Sequence, residues 1–292
     1  MVTRLRLLTS VVAVYQFLLV CSSGAAAILH VGAGQPHTTI TGAMAAASNG
    51  DTLRIHDGLY SGGLFVNKQL TFEAVNVGGV IIDGGGFGPD DAVIRVAADS
   101  TYIGLQLQNS RNGLYQRDSG ANVIAQRLII TDVTTGLGIN NSASTSGSVD
   151  ATHLTIDNVS DAVNINDGGT INLTNSIISN VSAAYTATNN IALNPSHNLL
   201  FNFVSLTAGP GTIGVDPSQL VGDPLYLSPG VNYRLGSGSP AIDSGIDVGL
   251  GFFGAAPDRG AFEFTAVPEP SSLLLLALGS LGCVVPRKSK LA

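Results

Sequence analysis

The sequence has no tryptophan, two methionines and two cysteines in 292 residues, and only 11% of it is charged. Lack of indole weakens any carbohydrate site built on broad ring stacking. Both cysteines, Cys21 and Cys283, fall in terminal segments, so the chain between them has no disulfide to stabilise it. Lysine is scarce too, with Lys68 alone between residues 28 and 267. That segment holds 8 basic and 19 acidic residues, a net charge of −11, which disfavours nucleic acid and anionic membranes as partners. Five histidines are scattered without metal-ligand spacing and no glycine-rich phosphate loop occurs, so no metal site, cofactor or nucleotide is expected from motif.

What is present starts at the ends. Arg4 and Arg6, the apolar stretch from Leu7 to Val20 and the small residues from Ser22 to Ala27 follow the order of a secretory signal over residues 1–27. Cleavage is expected after Ala25 or Ala27. The apolar stretch, interrupted by Thr9, Ser10 and Gln16, is short against the roughly 20 residues a permanent span needs. At the other end stand Pro268, Glu269 and Pro270, an apolar run from Leu273 to Val285, and then Arg287, Lys288 and Lys290. This order resembles the PEP-CTERM sorting signal. The resemblance implies export, transient membrane insertion of the 273–285 segment with its cations on the cytoplasmic side, and cutting near 267–270 by a membrane protease of the exosortase type. An ordinary single-span tail anchor is the alternative. Residues 265–292 are accordingly read as a tail and 28–264 as one folded domain.

That domain repeats. Leu105-Gln-Leu-Gln-Asn109, Leu128-Ile-Ile-Thr-Asp132, Leu154-Thr-Ile-Asp-Asn158 and Ser176-Ile-Ile-Ser-Asn180 align, each followed four residues on by Gly113, Gly136, Ala162 or Ala184 and a second short strand. Strands this short bury a face only by stacking. The period is two, not 3.6, and the inward column reads Leu107, Ile130, Ile156, Ile178. Asn109, Asp132, Asn158 and Asn180 mark sharp turns, because Asn and Asp tolerate the left-handed conformation. Four Asn-x-Ser/Thr triplets, starting at Asn140, Asn158, Asn172 and Asn180, are read as turn residues of the repeat rather than glycosylation sites. Upstream, Leu53–His56, Leu64–Val66, Leu70–Phe72 and Val80–Asp83 read as further rungs. Thr38–Ser48, alanine-rich and stopped by Asn49-Gly50, reads as a helix closing the open end of the stack.

Thr39-Ile40, Ala45-Ala46, Gly50-Asp51-Thr52 and Gly58-Leu-Tyr60 resemble the opening of pectate-lyase-like β-helix proteins. Gly222-Asp-Pro-Leu225, Tyr233-Arg-Leu235, Ser239-Pro-Ala-Ile-Asp243-Ser-Gly245 and Asp258-Arg-Gly-Ala-Phe-Glu263 resemble the choice-of-anchor Q region, here about 198–264. The fold these imply is all-β: a right-handed parallel β-helix with a short N-terminal capping helix, flanked by α-helical signal and C-terminal membrane segments.

The resemblance raises polysaccharide lyase or glycoside hydrolase activity. The Gly-His-Gly and Arg-Ile-Lys signatures of polygalacturonase-type enzymes are absent, and Asp90-Asp91, the only adjacent acidic pair, follows Gly88-Pro89 as a turn would. Lys68, flanked by Asn67 and Gln69, reads as a surface charge rather than a lyase base. No catalytic residue is assigned. Calcium is a lesser expectation, at Asp83, Asp90 and Asp91. The register instead defines a candidate glycan-binding strip, with Arg95, Arg117, Asn140 and Asn166 at one phase and Tyr115 and Asn164 beside them. A second outward strip has Arg127, His153 and Asn175, with Asp157 near His153 as an ion pair or acid/base couple. The function expected is a non-catalytic exported protein of the cell envelope or extracellular matrix, on the outer surface of a Gram-negative-type bacterium, with extracellular polysaccharide as partner. A carbohydrate-active enzyme is the rival.

Overall fold

A computed structural model describes residues 25–265, apart from 87–91, 118, 143–144, 189–191, 212 and 215. In chain order the elements begin with β1 (Ile28–Val31), α1 (Ile40–Ala46), β2 (Thr52–Ile55), β3 (Gly58–Ser61), β4 (Leu64–Val66), β5 (Leu70–Ala74), β6 (Val80–Gly86) and β7 (Ala92–Val96). The repeats supply β8 (Ser100–Ile103), β9 (Leu105–Arg117), β10 (Asn122–Gln126), β11 (Ile129–Asn140), β12 (Gly147–Thr152), β13 (Thr155–Ile165), β14 (Gly169–Thr174), β15 (Ile177–Ala187), β16 (Ala192–Ser196) and β17 (Leu199–Ala208). Three short strands follow, β18 (Leu220–Val221), β19 (Tyr226–Ser228) and β20 (Asn232–Leu235).

These strands build a parallel β-solenoid. One sheet runs β1-β2-β5-β8-β10-β12-β14-β16, one strand per coil over eight coils, and a second runs β18-β17-β15-β13-β11-β9-β6-β3, with β4 and β7 added beside β9. Leu107, Ile130, Ile156 and Ile178 are consecutive partners across β9, β11, β13 and β15, and none is exposed. The inward column is therefore in the register the repeat implies. Aromatics fill the lumen near the N-terminal end, where Phe72 and Tyr102 stack with centroids 5.1 Å apart and Ser100 Oγ bonds the Tyr102 hydroxyl.

Turn chemistry follows from the side chains at the corners. Asn109, Asp132, Asn158 and Asn180 have φ of +57°, +53°, +54° and +54°. They also bond between rungs: Asn158 Nδ2 donates to Asp132 Oδ1 at 2.6 Å, and Asn202 Nδ2 to Asn180 Oδ1 at 2.6 Å. Gly136 is small for a reason beyond the turn, since a Cβ there would stand 2.6 Å from the Ala162 carbonyl oxygen on the next coil.

The helix is shorter than the sequence suggests, with Thr39 as N-cap accepting from Gly42 N–H, and Ile40 and Ala43 buried against the first coil. Lys68 is not a free surface charge. Its ammonium donates to the carbonyls of Met44, Ala45 and Ala47, satisfying the C-terminal end of α1 and fastening it to the stack. Among the described residues no helix is long and apolar enough to cross a membrane. The expected signal core and the 273–285 segment lie outside the described residues.

Candidate functional site

The second halves of β9, β11 and β13 form one outer face whose rows are set by register. Arg117 lies opposite Asn140, and Asn166 N–H bonds the Ile139 carbonyl, carrying that row onto the next coil. Tyr115, Gly138 and Asn164 form the adjacent row. Arg95 belongs to this second row, paired with Tyr115 rather than with the phase of Arg117. The pairing of β6 with β9 is irregular in the same region, shifting between Asp83 and Gly86. The Arg95 guanidinium sits 5.5 Å from the Phe65 ring centroid, at the edge of the face.

Tyr115, Arg117, Asn140, Asn164 and Asn166 line a single depression of about 260 Å³, together with Arg111, Asn112, Thr135, Gly138 and Ile139. Its floor is a ring. A Cβ on Gly138 would stand 2.6 Å from Tyr115 Cδ2, so glycine lets the tyrosine lie flat across the next coil. Asn140 Nδ2 donates to the Tyr115 hydroxyl at 3.1 Å and fixes the ring there. Guanidiniums and amides thus surround one immobilised aromatic face, and no carboxylate occurs among the described lining residues. Such a set donates and accepts hydrogen bonds and offers a ring face for stacking. Arg111, Asn112 and Thr135 were missed in the sequence because they sit at the bend, off the strict alternation; Gly138, inside a short strand, was a readable signal of close approach.

The second strip is mostly covered, with His153 and Asn175 buried and Arg127 partly exposed. Arg127, His153 and Asn175 do stack, at a corner where their φ values are +53°, +57° and +52°. The C-terminal segment covers them. His153 is 1% exposed, its Nδ1–H donates to the Asp258 carbonyl at 3.0 Å, and its Nε2 accepts from Asn175 Nδ2 at 3.3 Å. Arg127 donates to the Gly251 carbonyl and stands 3.9 Å from Glu263. Asp157, expected to couple with His153, is buried elsewhere: it accepts from Ser179 Oγ, Asn180 Nδ2 and the Tyr233 hydroxyl. Arg259 pins the same segment, donating to the carbonyls of Ser244 and Asn198, with the Asp216 charge acting on it as well. Thr155, outward on the strand, is 1% exposed because Ala261 N–H bonds its Oγ1.

Burial, with the Arg127 charge nearby, pushes the His153 pKa down to about 4 against the bond from Asp258. The folded chain therefore takes up this proton later than the unfolded chain, so the stability it contributes is complete above about pH 6.5 and lost as pH falls toward 4, up to about 3 kcal/mol. Asp258 and Glu263, raised by burial, act oppositely. Melting temperature should fall between pH 6.5 and 5.0, and His153→Asn, whose side chain suits the positive φ as Asn175 does, should flatten that slope. An unchanged slope would move the pH dependence to other groups.

Of the calcium expectation, Asp83 is described and Asp90 and Asp91 are not. The Asp83 carboxylate accepts from Gly85 N–H, Asn109 Nδ2 and Gln108 Nε2, which hold it below the usual range. Ala25 and Ala27 are exposed, and Ala27 N–H donates to Asp51 Oδ1 at 2.8 Å. Pro268, Glu269, Pro270, Arg287 and Lys288 lie outside the described residues.

Residues 266–288 match the PEP-CTERM protein-sorting motif. That motif marks an exported protein of the bacterial cell envelope and implies processing by an exosortase-type membrane protease. No curated protein matches the chain. Among solved structures, pectate lyase Pel9A is 12% identical with a TM-score of 0.38, covering 83% of this chain and 97% of that one. A pectin methylesterase mutant in complex with hexasaccharide IV is 13% identical with a TM-score of 0.35, covering 62% and 80%. A pectin methylesterase in complex with hexasaccharide VII is 14% identical with a TM-score of 0.29, covering 64% and 69%. These distant likenesses say nothing of what the strip does, and the solenoid is defined by the registers of its own strands.

Proposed function

We propose that this exported, sorted chain is a non-catalytic solenoid that holds extracellular polysaccharide along the outer face of β9, β11 and β13. The observation that supports it is the Tyr115 ring laid flat over Gly138 and ringed by guanidinium and amide donors without a carboxylate among the described lining residues. Sugars present hydroxyls and ring faces, and this set addresses both. A row repeat of about 4.8 Å, the strand spacing, also offers an extended polymer more than one equivalent contact. Cleavage after Ala25 keeps Ala27 in the mature chain with its N–H bonded to Asp51 Oδ1, whereas cleavage after Ala27 removes that bond, which favours the first position.

The test is retention on a polysaccharide panel that includes the host's own exopolysaccharide. Arg117→Ala with Asn140→Ala should weaken retention on the cognate polymer about tenfold or more, with the melting temperature unchanged within a few degrees. Unchanged retention would assign the face to plain surface. Reproducible release of reducing sugars or unsaturated products from the same panel would replace binding by the enzymatic reading.

A further inference from the structure

The solenoid stops partway round its last coil. After β17 the chain lays Ile213 beside Leu193 of β16 and then β18 on Leu199 and Leu200, and from there it turns away into the β19–β20 hairpin, which pairs only with itself. The third side of that coil is missing. Residues 202–208 of β17 therefore pair with β15 along one edge and, among the described residues, with no strand along the other. Val204 and Leu206 on this edge are 88% and 39% exposed. A free edge of this kind is a template for another strand, and proteins usually guard it with charge or proline. Here neither guard is present: the strand has no proline, and residues 168–215, which form β14 to β17, contain no Asp, Glu, Lys or Arg in a domain whose net charge is −11.

We propose that two copies of this chain join tail to tail, the free edges of their β17 strands pairing antiparallel about a two-fold axis at Ser205. Charge distribution selects a second copy as the occupant. Two strongly negative chains repel, and the charge-free coils are where they can approach without bringing like charges together. Ser205 is the midpoint of residues 202–208, so the pairing that uses the whole edge sets Val204 opposite Leu206, Phe203 opposite Thr207 and Asn202 opposite Ala208 of the second copy. Apolar residues meet and no charge is buried. The other end of the stack offers no equivalent. There α1 packs Ile40 and Ala43 against the first coil, and β4, at the matching edge of the same sheet, is 3 residues long. A tail-to-tail contact is isologous and closes after two chains, so it satisfies the edge without growing a filament. It also joins the two copies of the sheet that carries β9, β11 and β13 into one, setting two outer faces along a shared surface. The pairing itself does not depend on what those faces bind.

Sedimentation velocity of the exported protein isolated from its host should give twice the mass of one chain. Val204→Lys places a charge on an exposed edge position, so it should weaken the pair about tenfold or more while the melting temperature stays within a few degrees. Residues 28–267 contain no cysteine, so Ser205→Cys should, on oxidation, lock the pair into one band of doubled mass on a non-reducing gel. Ser182→Cys, on β15 and three strand spacings or roughly 14 Å from its counterpart across the pair, should not. A single-chain mass, whether the edge is left bare or taken by the chain's own tail, would overturn the proposal. So would a pair that survives Val204→Lys, a ladder of larger species, or failure of Ser205→Cys to cross-link.

Discussion

Ile156→Lys should abolish folding, whereas Ile124→Lys should leave the melting temperature within a few degrees. Ile156 is wholly buried between Ile130 and Ile178 in the stacked inward column, where a lysine ammonium has neither water nor a partner. An unpaired buried charge of this kind costs about 4–5 kcal/mol or more, comparable to the roughly 5–15 kcal/mol by which a whole domain is stable. Ile124, 42% exposed on β10, undergoes the same change beside Thr101 and Asp150, the latter a ready counter-charge. Thermal melts by circular dichroism read the contrast directly. A folded Ile156→Lys protein melting near the wild type would refute the register.

The stacked column was legible because burial in a solenoid is local and periodic: Leu107, Ile130, Ile156 and Ile178 recur at the phase where Asn or Asp follows two residues on. Corners were legible for the same reason, since left-handed turns select Asn and Asp. The strip's core was legible too, apart from Arg95, which pairs with Tyr115, two residues short of Arg117, a register that a repeat count does not reveal.

Contacts made across large sequence separations were not legible. Thr155 and Asp157 alternate outward and read as solvent-facing, yet Ala261 and Tyr233 cover them from 106 and 76 residues away. Nothing in the local pattern of β13 announces that cover. The same segment turns Arg127, His153 and Asn175 from a candidate reactive strip into a covered seam in which only Arg127 stays partly exposed. Lys68 failed likewise, because its partners are backbone carbonyls of α1, more than 20 residues upstream. Residue type alone does not reveal a carbonyl acceptor.

The sorting tail should give the largest effect in the cell. Replacing Pro268, Glu269 and Pro270 by alanine leaves the expected N-terminal signal of residues 1–27 untouched, so export should proceed, but it removes the core of the matched 266–288 sorting motif. The run from Leu273 to Val285 then stays attached, and the uncut chain should shift almost wholly to the membrane fraction. The folded solenoid should be unaffected, because Phe264, the last core contact among the described residues, precedes the motif. Intact-mass measurement of the protein isolated from its native host tests the account most directly. A mature species that ends before Leu273 in the wild type, with the alanine variant retaining all residues to Ala292, is the predicted result. A wild-type species that still carries Leu273 to Ala292 would contradict it and make the tail a plain membrane anchor.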